Sequence, residues 1–133
     1  MRDFTAKGRC LCGAVRFEAT AKPLRASYCH CSKCRQHTGA PVMLGVVFPS
    51  DAVAVSGKVA VYASSETGRR HFCPTCGSSL FFTFTDAPDR MEIMAGVFED
   101  PSFIEPSFHL YAGQAIACCA VDDDLPKYEV GLS

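Results

Sequence analysis

Nine cysteines in 133 residues, seven of them grouped as Cys10/Cys12, Cys29/Cys31/Cys34 and Cys73/Cys76, constrain this chain more than any other feature. Disulfides and metal ligation compete to explain them. The amino-terminal segment Met1-Arg-Asp-Phe-Thr-Ala-Lys-Gly-Arg9 lacks the apolar stretch of a secretory signal. The longest apolar run, Ala40 to Pro49, is far short of the roughly 20 residues a helix needs to cross a bilayer. The expected location is therefore the cytosol, where thiols stay reduced and structural disulfides are rare. An odd cysteine count argues further against a closed disulfide set. Metal ligation is the expected use.

A chain of this length fits one domain over residues 1–133, large enough to bury a single core. Its net charge of −1 gives no clustered basic surface for nucleic acid and no attraction to an anionic membrane. Strand signals dominate. Residues 14–20 (AVRFEAT) alternate apolar and polar, residues 24–28 do so more weakly, and residues 42–48 form the continuous apolar run of a strand covered on both faces. Residues 52–55 and 59–62 flank Ser56-Gly57-Lys58, a hairpin signal. Residues 71–72, 80–85 and 91–95 complete the set, with turn chemistry at Pro88-Asp89 between the last two. Only residues 32–38, closed by Gly39, suit a turn or two of helix. From Asp100 onward, prolines and glycines break the chain into pieces expected to wrap over the sheet. The fold class expected is one mostly-β domain whose turns carry the cysteines.

Cys73-Pro-Thr-Cys76-Gly77 is the most specific local motif. Two thiolates at this spacing can grip one metal from a tight knuckle, and Gly77 can take the positive φ that aims backbone N–H groups at sulfur. A CxxC can also be a redox pair, which normally sits where a strand enters a helix; here strand-like sequence follows. Tetrahedral zinc wants four ligands, and Cys10-Leu-Cys12-Gly13 is the natural complement. Such a Cys₄ site is closed, hence structural. Cys29-His30-Cys31-Ser-Lys-Cys34 offers three thiols within six residues. Three protein ligands with an open fourth position describe a catalytic zinc. The alternatives are a second structural zinc completed by His37 or His30, and an iron–sulfur cluster.

With CLCG, CHCSKCRQHTGAP and HFCPTCGSSLFF in this order, the chain resembles the glutathione-dependent formaldehyde-activating enzyme family, which includes the centromere protein V-like proteins. The resemblance runs from about Gly8 to Tyr128 and includes the tail segments around His109 and Asp124. It implies a small zinc-binding β-tent built from several antiparallel sheets, with two zinc ions (Zn2+) per chain. Cys10, Cys12, Cys73 and Cys76 match the structural ligands. Cys29, Cys31 and Cys34 match the ligands of the labile, catalytic zinc. The implied activity is that of a carbon–sulfur lyase acting on a thiol–aldehyde adduct such as S-hydroxymethylglutathione, formed from glutathione and formaldehyde. The rival reading is a zinc-stabilised binding module or a thiol-adduct carrier. The family's tail tryptophan and lysine align with Cys118 and Ala115, and this chain has no tryptophan. Fold and metal ligation survive that departure, whereas the substrate's identity does not follow from the resemblance.

The remaining polar residues have quieter expectations. Cys118-Cys119 is read as two buried small hydrophobes, since neighbouring Cα atoms, about 3.8 Å apart, lie too close for an unstrained disulfide. His109 is expected as a hydrogen-bonded histidine under the tail. His71 is expected to pack or to donate to a backbone carbonyl. Arg35 is either solvated or a clamp for a substrate carboxylate. Arg69-Arg70 is too small a basic patch to suggest nucleic acid, and Asp122-Asp123-Asp124 reads as a solvated turn.

Overall fold

The computed structural model describes residues 4–119 and 121–131, so Met1 to Asp3 of the amino-terminal segment lie outside it. Its strands are β1 (Ala6–Arg9), β2 (Arg16–Ala19), β3 (Arg25–Cys29), β4 (Met43–Pro49), β5 (Val53–Ser56), β6 (Ala60–Ala63), β7 (Gly68–Phe72), β8 (Ser79–Phe84), β9 (Arg90–Met94) and β10 (Phe108–Leu110). One α-helix, α1 (Ser32–Thr38), and several single 3₁₀ turns complete the described chain. The mostly-β expectation holds. No helix among the described residues is long and apolar enough to cross a membrane.

The strands form two sheets, β1-β2-β5 and β10-β3-β4-β9-β8-β7-β6, and neither closes into a barrel. Every pairing is antiparallel except β10 with β3, which is parallel. β4 lies inside the larger sheet, and its apolar run is buried on both faces: Val46, Val47 and Phe48 are at most 1% exposed. That is why it reads as continuous rather than alternating.

Successive residues of a strand point to opposite faces, so the register divides the large sheet into two surfaces. Phe81, Ile93, Val46 and Ala26 are cross-strand partners in one row. Their face packs on Val15, Phe17 and Ala19 of the small sheet to make the main core. Phe17 meets Phe81 and Phe98 edge-to-face, at ring separations of 5.5 and 5.2 Å. Each such buried side chain contributes about 1.5–3 kcal/mol. The next row, Arg70, Phe82, Glu92, Val47 and Arg25, belongs to the opposite face. There a second cluster gathers Cys29, Cys34, Met43 and Met94 under Leu110 and Tyr111 of the tail.

The hairpin expected at Ser56-Gly57-Lys58 is not formed. β5 pairs with β2 in the small sheet and β6 with β7 in the large one, so this segment is a crossing between sheets. The turn residues were read correctly, but which edge each strand joins is a long-range matter. Two short strands, β1 and β10, carry too little apolar alternation to show in the sequence. Helix α1 forms where expected, and Gly39 ends it at φ 73° with its N–H on the Arg35 carbonyl.

Gly57 makes the crossing at φ 96°, and a Cβ there would run into the Ala14 carbonyl. Gly57→Ala is therefore expected to lower stability by about 1–3 kcal/mol. Gly96→Ala, with no atom within 4 Å of the added carbon, should stay within about 0.5 kcal/mol. Urea unfolding of the two variants checks this; equal midpoints would refute the crossing strain.

Candidate metal centres

Two tight turns, one leaving β1 and one leaving β7, bring Cys10, Cys12, Cys73 and Cys76 together with all four sulfurs within 4.8 Å of one another. The turns are built alike. Gly13 and Gly77 sit at φ 82° and 81°, and each N–H returns to the carbonyl of the first cysteine of its turn. Backbone N–H groups of Val15, Thr75 and Cys76 point at sulfur, at 3.3 to 3.4 Å. The Ser78 hydroxyl accepts from the Leu11 N–H at 2.9 Å, tying one turn to the other. Cys10–Cys12 and Cys12–Cys73 sulfurs are 3.6 and 3.8 Å apart. A tetrahedron with Zn–S bonds of about 2.3 Å has edges of about 3.8 Å, so this donor set fits zinc.

The second group lies on the other face of the large sheet. Cys29 ends β3, Cys31 caps the helix by accepting the Cys34 N–H, and Cys34 is in its first turn. The three sulfurs fall within 4.8 Å of one another. Cys34 is 3.0 Å from Cys31 and 3.2 Å from Cys29, a contracted version of the same triangle. Hydrogen bonds with Cys29 and Cys34 hold the Cys31 thiol far below its ordinary pKa, and the same contact pushes Cys29 far above it.

Neither histidine considered as a fourth ligand joins the group. His30 is 3% exposed and turns Nε2 to Nδ1 of His109, 2.8 Å away. His109 in turn places Nε2 3.1 Å from both carboxylate oxygens of Asp123. A carboxylate only accepts, so His109 donates from Nε2, accepts at Nδ1, and His30 donates from Nε2. Burial pushes the Asp123 carboxyl up, but hydrogen bonds from His109 and Lys127 outweigh it and hold the pKa low. His37 lies against Phe72, with Nε2 buried and unpartnered.

Several expectations are corrected here. Cys118 is exposed and Cys119 half-exposed, their sulfurs 3.9 Å apart, so they are not a buried apolar pair. The 3₁₀ turn holding them rests on the surface, where the tail has no layer above it to bury a side chain. Asp122 and Asp124 are exposed, as a solvated turn requires, but Asp123 is half-buried and its carboxylate covers His109 and bonds Lys127. His71 packs edge-to-face on Phe81, ring centroids 6.1 Å apart, as one of its two expectations had it, and its Nε2 bonds the Thr83 hydroxyl at 2.9 Å instead of a backbone carbonyl. Arg35 donates from Nε to the His30 carbonyl and so braces the cysteine turn. Gln114, beside Ala115, accepts the Ser32 N–H at 2.9 Å and pins the tail against the helix start.

Two polar residues of this face escaped sequence reasoning. Arg70 is 5% exposed and sets its two terminal nitrogens 3.8 and 3.7 Å from Cys34 Sγ. Its alternation with His71 along β7 was the only available signal. Glu92 shares its row, and its carboxylate lies over Gly45, where any Cβ would collide with it. Gly45 is two residues from Met43, the cross-strand partner of Cys29. The missing side chain leaves the notch that the Glu92 carboxylate fills. Burial raises its pKa to about 7, against the pull of Arg25 and Arg70.

Two packed sheets with one cysteine group clamped between them and another on the outer face define a mostly-β protein equipped to hold metal ions. The profile of the glutathione-dependent formaldehyde-activating enzyme family matches residues 5–114, and the chain belongs to that family. A Schizosaccharomyces pombe protein described as an uncharacterized lyase is 33% identical over 93 residues, 70% of this chain and 68% of that one. A Halomonas elongata protein, provisionally named a glutathione-dependent formaldehyde-activating enzyme, is 32% identical over 56% of this chain and 54% of its own length. The chain thus spans about half of that relative. A crystal structure of a Rhodobacter sphaeroides protein superposes with a TM-score of 0.58 at 27% identity, covering 70% of this chain and 87% of that one.

Glu92 supplies a pH signature. Its folded pKa lies above the unfolded value, so the folded state holds more protons between about 4.3 and 7. Wild-type stability should fall as pH rises through that window, and Glu92→Gln should remove the fall. Denaturant unfolding at pH 5 and pH 8 measures it; parallel behaviour of the two proteins would place Glu92 in water.

Proposed function

We propose that the protein is a zinc-dependent carbon–sulfur lyase acting on a thiol–aldehyde adduct, with two zinc ions per chain. Family membership supports the chemistry, and so does the relative described as a lyase. The observation that carries it is the difference between the two cysteine groups: one supplies four sulfurs, the other three and no histidine. In this reading Cys10, Cys12, Cys73 and Cys76 hold a structural zinc, and Cys29, Cys31 and Cys34 hold a catalytic one with a position left for substrate. Bound at the three-cysteine group, zinc favours thiolate over thiol and can polarise an aldehyde oxygen.

The substrate class is the adduct of a small thiol, glutathione being the family's reference case, with formaldehyde. In cleavage the C–S bond breaks with its electron pair going to sulfur. The carbinol O–H gives up its proton as C=O forms, and that proton is carried to the thiolate. In this reading Glu92, which fills the Gly45 notch on the same face and has a pKa near neutrality, carries it. The chain's share is to hold three thiolates on a strand end and a helix turn braced by the His30–His109–Asp123 chain. Residues 1–133 act as one domain, and its free thiols suit the reducing cytoplasm.

Metal analysis and formaldehyde exchange test this together. Two zincs per chain are expected, one released by mild chelation before the fold melts. Cys31→Ser should lose that zinc and accelerate adduct exchange no more than buffer, while staying folded. Cys76→Ser should unfold, because a structural zinc supplies folding free energy of order 10 kcal/mol. Exchange of labelled formaldehyde with glutathione and with cysteine, followed by NMR, reports the rate. Equal rates for wild type and Cys31→Ser, or equal stability of the two variants, would overturn the assignment.

A further inference from the structure

Arg70 is a buried cation without an acidic partner. It is 5% exposed, and the ion pairs among the described residues, His109 and Lys127 with Asp123, do not include it. Its side chain is nonetheless fixed at every point. Nε donates to the Ser64 hydroxyl at 3.0 Å. The guanidinium carbon sits 4.7 Å above the Phe82 ring. Both terminal nitrogens face Cys34 Sγ at 3.8 and 3.7 Å. Phe82 stands between it and Glu92 in the cross-strand row. A guanidinium stays charged at any pH, and burying one unpaired is heavily unfavourable. Glu92 feels its charge across Phe82, but the group in direct contact with the guanidinium, and so best able to offset it, is the three-cysteine group.

The charge count then bears on what the site accepts. Three thiolates around a divalent ion leave one net negative charge, and a fourth thiolate makes two. Cys29 and Cys34 are 5% and 6% exposed, so water does little to stabilise a double charge there. With the guanidinium against Cys34, a fourth thiolate brings the assembly only to one net negative charge. A neutral donor gains nothing comparable.

We infer that Arg70 determines the specificity of the three-cysteine site, making an anionic sulfur rather than a neutral donor its favoured fourth ligand. The inference rests on the reading of that group as an open zinc site. Arginine is required in this geometry because its planar fork reaches Cys34 with two N–H groups while Nε holds Ser64 and the plane lies on Phe82. A lysine keeps the charge but only as a point.

Cobalt-loaded protein tests it without turnover, since sulfur bound to cobalt gives a charge-transfer absorbance. Wild type, Arg70→Met and Arg70→Lys are titrated with 2-mercaptoethanol, a thiol with no other charge, and with imidazole, a neutral donor. Arg70→Met is expected to weaken thiol binding tenfold or more and to leave imidazole within about twofold. Arg70→Lys should recover much of the thiol affinity. Arg70→Gln, which can keep the Ser64 hydrogen bond, repeats the comparison should Arg70→Met not fold. Equal losses for both ligands reduce Arg70 to packing and overturn the inference, as does unchanged thiol affinity. A wild-type site that takes neither ligand overturns the open-site reading and the inference with it. A wild type that binds both, matched by Arg70→Met, overturns the inference alone.

Discussion

Four sulfurs gathered from two turns hold the two sheets together. Cys10 and Cys12 follow β1 of the small sheet, and Cys73 and Cys76 follow β7 of the large one. Their contact fixes the distance and angle at which Phe17 meets Phe81 and Phe98. A small sheet of three short strands has little surface with which to hold that position unaided. Cys10 and Cys73 are 1% and 0% exposed, so that half of the clamp is continuous with the core, while Cys12 and Cys76 reach the surface. Backbone N–H groups aimed at sulfur favour thiolate, and thiolates this close repel unless a cation sits among them. The geometry that joins the sheets is thus also one that could hold a metal ion.

Once the sheets are joined, the pleat separates structure from chemistry. One face of the large sheet is apolar and spent on the core. The other carries Cys29, Met43, Gly45, Glu92, Arg70 and Arg25, of which three are charged residues on central or near-central strands. Such residues weaken a fold unless each finds a partner. Arg70 finds a sulfur and a hydroxyl, whereas Arg25 keeps a buried Nε without one. Stability is given up on the face that carries the three-cysteine group, a pattern that functional sites generally show.

The tail adds a third layer of control. β10 joins β3 in the one parallel pairing, and Tyr128 returns to the His109 carbonyl. His109, stacked on Tyr28 and hydrogen-bonded edge to edge with His30, converts that backbone arrangement into a fixed ring orientation beside the cysteine turn. Gln114 does the same at the helix start. Segments that look like loose wrapping in the sequence are thereby second supports of the site.

The sequence by itself determined the parts whose physics is local. Cysteine spacing with following glycines specified both sulfur-bearing turns and the three-cysteine helix start, because chelation by a tight turn is set within a few residues. Apolar patterning located β2, β3, β4, β8 and β9, since alternation, or in β4 an unbroken apolar run, records burial directly. Only the tertiary structure decided what depends on encounters between distant segments. It separated β5 from β6, brought Asp123 against His109, left Cys118 exposed and turned His30 away from the three-cysteine group. It also moved Arg70 from an unremarkable basic dipeptide to the side of Cys34. A charged residue carries no mark of its future partner in its neighbours along the chain; strand register and sheet order assign one.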